Sequence, residues 1–132
     1  MQTMPISDCE VRDPRVRRTR LLLQGALRDS RFELYCQPII PSYAANDEGP
    51  AMEVLVRLRD ERGEQLAPTD FMRAAERYRL MGPVDRWVVQ TTLTALGRGA
   101  INLAPKRSVA INISAQTLAD GEFPEFVVEC FD

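Results

Sequence analysis

Residues 51–58 read AMEVLVRL. β-Branched and apolar side chains dominate the stretch and loop-forming residues flank it, which predicts a strand. Successive side chains of a strand point to opposite faces. Met52, Val54, Val56 and Leu58 therefore share one face, and Glu53, Leu55 and Arg57 share the other. On an outer strand of a half-exposed sheet, Glu53 and Arg57 simply face water. In a closed barrel with helices outside, the apolar face packs on those helices and the charged face points inward. There, ionised groups are costly unless they hold a ligand or a metal. The pattern fits both architectures.

Working outward, Arg31–Ile40 (RFELYCQPII) is rich in β-formers and is followed by Pro41, so it reads as a preceding strand. Residues 41–50 (PSYAANDEGP) have loop chemistry and are too few for a crossover helix. The two strands are therefore expected to run antiparallel. Further upstream, Asp13-Pro14 reads as a helix cap and first helical position, with a helix to about Asp29 that includes Val16, Leu23 and Leu27. Downstream, Pro68-Thr69-Asp70 opens a helix to about Met81, and Gly82-Pro83 ends it and starts another to Leu96. Ser108–Ile113 (SVAINI) is a third strand, with Asn112, a poor strand former, at its end. A helical turn near Ala115–Leu118 and a last helix from Pro124 follow. Strands alternating with helices point to an α/β layer or barrel. The last helix is still apolar and periodic at Asp132, which reads as an interruption of the fold.

The chain has 132 residues, 45% hydrophobic and 27% charged, enough for one domain with a core. Its net charge of −2 argues against a general nucleic-acid binder. There is no histidine, which excludes Ser-His-Asp and Cys-His nucleophile systems and His-ligated metal sites. The three cysteines, Cys9, Cys36 and Cys130, have no CxxC spacing, so a zinc site or disulfide framework is not expected and a cytoplasmic location is. Cys36 lies in an apolar run and reads as a core residue. The N-terminus lacks signal-peptide character, and no apolar window of about 18 residues predicts a membrane span. Residues 1–12 read as a linker or tail. Arg15, Arg17, Arg18 and Arg20 read either as an anion- or partner-binding patch or as a solvated helix face.

Gln37, Glu53, Arg57 and Asn112 form the candidate polar set, each on or at the end of a strand. Inward residues at strand ends build the active sites of α/β barrels. Carboxylate and amide oxygens suit Mg²⁺ or Mn²⁺, and an arginine fork suits a phosphate. The set suggests metal-assisted phosphoester chemistry.

Several ordered motifs resemble the EAL domain, the cyclic di-GMP phosphodiesterase domain of bacterial signalling proteins. Phe32–Ile39 (FELYCQPI) resembles its first strand, and Glu53-Val54-Leu55-Val56-Arg57 its ExLxR signature. Pro68, Phe71, Ala75 and Glu76 match its P-x-x-F-x-x-x-A-E segment, Asp85 and Trp87 its next helix, and Ile111–Ser114 its Asn-Leu-Ser strand end. The resemblance implies a partial TIM-like (β/α) barrel whose first strand is antiparallel. It implies Glu53 and Asn112 as metal ligands, and Arg57, Gln37 and Leu55 as substrate-binding residues. The implied activity is hydrolysis of cyclic di-GMP to linear pGpG with two Mg²⁺ or Mn²⁺ ions. Val54 replaces the signature alanine and Leu58 a frequent tryptophan; both are expected on the helix-facing side.

The family's later glutamate, paired aspartates, lysine, and late glutamate and glutamine have no counterparts up to Asp132. A complete barrel takes about 250 residues. Residues 13–132 are thus expected to be the N-terminal half of an EAL-like barrel, inactive alone and either self-associating or paired with a second half. An upstream GGDEF or sensor domain is a further expectation. The alternatives are a degenerate, non-catalytic EAL module that binds cyclic di-GMP or a protein, and an unrelated α/β domain.

Overall fold

The computed structural model describes residues 14–42 and 48–132. Cys9, the expected tail 1–12, the cap Asp13, the side chain of Val16 and loop residues 43–47 lie outside the described residues. Helix α1 spans Pro14–Asp29, strand β1 Phe32–Pro38 and strand β2 Gly49–Leu58. Helices α2 (Pro68–Arg77) and α3 (Met81–Gly97) follow. Strand β3 (Arg107–Ile111) and the short helices α4 (Ala115–Leu118) and α5 (Phe123–Glu129) complete the order. No described helix is long and apolar enough to cross a membrane.

The sheet order is β1-β2-β3. β1 runs antiparallel to β2, with Tyr35 opposite Leu55 and Gln37 opposite Glu53. β3 runs parallel to β2, with Glu53 opposite Ala110. The parallel pair requires a crossover, which α2 and α3 supply. The register shifts between Pro50 and Met52, where a proline that has no N–H to donate sits at the start of the strand. This is the opening of an α/β barrel whose first strand is antiparallel.

The core lies between one sheet face and the helices. Val54, Val56 and Leu58 are buried there against Leu23 and Ala26 of α1, Phe71 and Ala75 of α2, and Val84 and Val88 of α3. Phe32 joins them, edge-on to Phe71 at 6.4 Å between ring centroids and 5.4 Å from the Trp87 ring. Val54 and Leu58, the two departures from the signature, both fall on this helix-covered face.

Cys36 is not a core residue: it is exposed. It lies opposite Val54 and so on the apolar face. The described helices cover the Phe32 end of β1 and leave the Cys36 end open. Local hydrophobicity gave the face correctly but could not give its coverage.

Helix boundaries also differ from expectation; α5 closes at Glu129 and does not continue to Asp132. α2 stops at Arg77, not near Met81, and α3 starts at Met81, not Pro83. Arg79 takes φ 54°. Its N–H donates to Glu76 O at 3.3 Å, and the Leu80 N–H donates to Ala75 O at 2.8 Å. This is a Schellman closure. The same closure ends α3 at Gly99 (φ 73°), and a related left-handed ending closes α1 at Ser30 (φ 54°), where the Arg31 N–H donates to Ala26 O at 3.1 Å. Of these three endings, only that at Gly99 has the glycine that makes such an ending readable. Elsewhere, a Cβ on Gly25 in α1 would meet only the Arg31 guanidinium folded over the helix, the far end of a flexible side chain that would have to shift.

Candidate ligand site on the inner sheet face

The sheet face away from the helices carries the polar set. Alternation and register put Glu33, Tyr35 and Gln37 of β1, Glu53, Leu55 and Arg57 of β2, and Ala110 of β3 on this side. Glu53, Leu55 and Arg57 are half-buried, while Tyr35, Gln37 and Asn112 are exposed. Asn112 lies one residue beyond the end of β3. Its amide Nδ2 donates to Glu53 Oε1 at 2.6 Å, across 59 positions of sequence. The two expected metal ligands therefore meet. Gln37 is directly opposite Glu53 in the register and Arg57 is further along β2, with Leu55 between.

Glu53 and Asn112 offer hard oxygen donors at one point, which fits a divalent cation such as Mg²⁺ or Mn²⁺. They amount to two ligands; among the described residues there is no cluster of three Asp, Glu, Cys or His. The remaining positions of a six-coordinate ion would fall to water or to groups outside these residues.

Arg57 donates Nη1–H to Val56 O at 2.9 Å, and its guanidinium lies 5.9 Å from the Tyr35 ring centroid. Glu33 faces Arg57 in the register, yet its carboxylate is taken by Arg59, with Nε to Oε1 at 2.7 Å. The Arg59 hydrogen bond holds the Glu33 carboxyl below its usual range. Tyr35 and Glu33 were not among the sequence candidates. The signal was present, because they precede Gln37 by two and four positions on one strand and so share its face.

A second group was also missed. Asp85 of α3 is buried, 4% exposed. Its Oδ2 accepts from Ser114 N at 3.0 Å, Ser114 Oγ at 2.7 Å and Thr117 Oγ1 at 2.6 Å. The available signal was periodicity: Met81, Val84, Asp85, Val88 and Thr92 form one buried stripe.

The sheet thus has the topology of a partial α/β barrel and presents acid, amide and guanidinium from one face, the kind of face on which barrel domains carry their sites. The sequence matches the EAL domain family over residues 21–131, and the chain belongs to that family. It is 31% identical over 104 residues to the cyclic di-GMP phosphodiesterase PdeB of Shewanella oneidensis, covering 79% of this chain and 12% of PdeB. The cyclic di-GMP phosphodiesterase PdeF of Escherichia coli is 30% identical over 103 residues, covering 77% of this chain and 13% of PdeF. Among solved structures, the FimX EAL domain of Pseudomonas aeruginosa bound to c-di-GMP superposes with a TM-score of 0.72 at 26% identity, over 86% of this chain and 43% of that one. The chain thus spans a small part of these curated relatives and less than half of the FimX domain.

Proposed function

We propose that this chain forms the first wall of a cyclic di-GMP site, of the kind that in EAL phosphodiesterases opens the dinucleotide to pGpG. The observation that carries the reading is the 2.6 Å meeting of Asn112 and Glu53 on the inner face. On this reading Glu53 offers a carboxylate oxygen and Asn112 its Oδ1 to Mg²⁺ or Mn²⁺, which exchanges their mutual hydrogen bond for two oxygen–metal contacts. Such ions, when bound, activate water and neutralise phosphate charge. Arg57 places its planar fork on a phosphate. The pairing of Arg59 with Glu33 supports that role, because it draws the facing carboxylate away from Arg57. Gln37 supplies an amide beside Glu53, and Leu55 an apolar surface between the two charged ends.

Residues 13–132 would be the domain portion and residues 1–12 a lead-in, with an upstream GGDEF or sensor domain and a cytoplasmic setting as the context. The remaining ligands and the general base would come from outside this chain, so the 132-residue chain binds without turnover. Self-association or a second barrel portion is the partner this implies. Exposed Leu118, Val128 and Phe131, on or just after the short helices α4 and α5, support it. The test is calorimetric titration with cyclic di-GMP in the presence of Mn²⁺, with product analysis. Binding that Glu53→Gln weakens, with no pGpG formed, is expected. Absence of binding overturns the site assignment, and turnover by the pure chain overturns the incomplete-site reading.

A further inference from the structure

We infer that Asp85 is the positioning residue of this site, acting through the Ser114–Thr117 corner to hold Asn112 against Glu53. The inference rests on the metal-site reading above for its consequence, but its geometry stands apart from it.

Asn112 follows the last residue of β3 and is exposed, so its own surroundings do little to fix it. On its N-terminal side the backbone is held by strand pairing, with Ile111 opposite Val54. On its C-terminal side it is held two residues later, at Ser114. There one carboxylate oxygen of Asp85 receives a backbone N–H and two hydroxyls. The hydroxyls of Ser114 and Thr117 are 3.0 Å apart. Ser114 Oγ has both Asp85 Oδ2 and Thr117 Oγ1 within donating distance, and Thr117 Oγ1 donates to Asp85 Oδ2. The lone pairs of Ser114 Oγ then accept the Thr117 N–H at 3.2 Å, which caps α4. α4 has only four residues and cannot fix the corner by itself. Asp85, on the 17-residue helix α3, ties it to the core. The bonds converge on a side chain that is only 4% exposed, where hydrogen bonds are electrostatically stronger than in water. Groups that orient a metal ligand in this way alter metal affinity without touching the ion.

The test compares Asp85→Ala, Asp85→Asn, Asn112→Ala and the double variant Asp85→Ala/Asn112→Ala. Two readouts are used: the Asn112 side-chain amide signals in metal-free ¹H–¹⁵N spectra, and Mn²⁺ affinity by electron paramagnetic resonance. Asp85→Ala is expected to move the Asn112 amide signals to the solvent-exposed position while β1 and β2 backbone signals stay, and to weaken Mn²⁺ about 10- to 100-fold. Asp85→Asn keeps an oxygen where Oδ2 sits and restores most of both. The double variant binds Mn²⁺ no more weakly than Asn112→Ala alone. Unchanged Asn112 signals in Asp85→Ala overturn the inference. So does a full additive loss in the double variant, which would mean that Asp85 acts on the fold at large. If the unaltered chain binds no Mn²⁺, the metal reading fails, and the amide signals still decide the positioning. Should Asp85→Ala not fold, Ser114→Ala/Thr117→Val removes both hydroxyls from the other side and is expected to shift the same signals; no shift overturns the inference equally.

Discussion

Leu55 and Leu58 lie three positions apart on β2 and face opposite ways, so one substitution at each tests the assignment of inner and outer faces. Leu58 is fully buried in the helix-covered core. Leu58→Asn removes its apolar transfer energy, about 2 kcal/mol. It also strands an amide without partners, for about 1–3 kcal/mol more. The sum of about 3–5 kcal/mol is a large part of the 5–15 kcal/mol that typically holds a domain together. Leu55 is half-buried on the open face. An asparagine there loses part of the transfer energy, but its amide reaches water, and the cost is about 1 kcal/mol. At about 4 °C per kcal/mol for a domain of this size, Leu58→Asn lowers the melting temperature by about 12–20 °C and Leu55→Asn by about 4 °C. Thermal melts followed by far-UV circular dichroism, repeated with urea, measure both. Equal losses, or a larger loss at Leu55, would refute the face assignment and with it the inward direction of Glu53 and Arg57.

Arg79→Gly removes a side chain from a left-handed backbone position, and a stabilisation of about 0.5–1 kcal/mol is expected in urea melts; destabilisation would show that the arginine itself holds the α2–α3 turn. Arg57→Ala is expected to weaken cyclic di-GMP at least tenfold, and Arg57→Lys to recover only part, because an ammonium lacks the bidentate fork; equal affinity in all three would remove Arg57 from the site. Glu33 and Asp120 titrate below their ordinary values of 4.5 and 3.8 because Arg59 and Arg86 donate hydrogen bonds to them. A carboxyl whose folded pKa is depressed contributes stability that is complete above its unfolded value and lost as pH falls through the folded one. Stability should therefore decline below about pH 4.5, and Glu33→Gln should flatten that decline. A Glu33→Gln profile that overlays the unaltered one would mean that the Glu33–Arg59 pair contributes nothing to folding.

What the sequence made legible was whatever has a short period or a local chemical mark. The two faces of β2 follow from alternation, and the antiparallel first pair follows from a connection too short for a helix. The acid–amide meeting was reachable through the motif order, since nothing local links positions 53 and 112. Features that depend on distant coverage were not legible. Cys36 lies on the apolar face, but the helices that would have to cover it are set by tertiary packing. The end of α2 carries arginine where glycine would have marked it. Asp85 reads as a polar residue on a helix until Ser114 and Thr117 arrive beneath it from another element.

The inner face also separates its charges along one strand. Glu53 and Arg57 are four residues apart, about 13 Å between their backbone positions at the usual strand rise, with Leu55 between them. On the proposed reading, a cation held by Glu53 and Asn112 and the guanidinium of Arg57 would offer two positive points to one anion, spaced across an apolar surface. A ligand with two phosphates separated by a rigid frame can engage both. A mononucleotide with a single phosphate engages one at a time and forgoes the effective concentration that linkage supplies. Guanosine monophosphate is therefore expected to bind this chain at least tenfold more weakly than cyclic di-GMP in the presence of Mn²⁺. Calorimetry with the two ligands side by side measures the ratio, and Arg57→Ala should reduce it towards unity. A ratio that Arg57→Ala leaves intact would mean that the second positive point lies elsewhere, and that the strand does not work as a two-ended cradle.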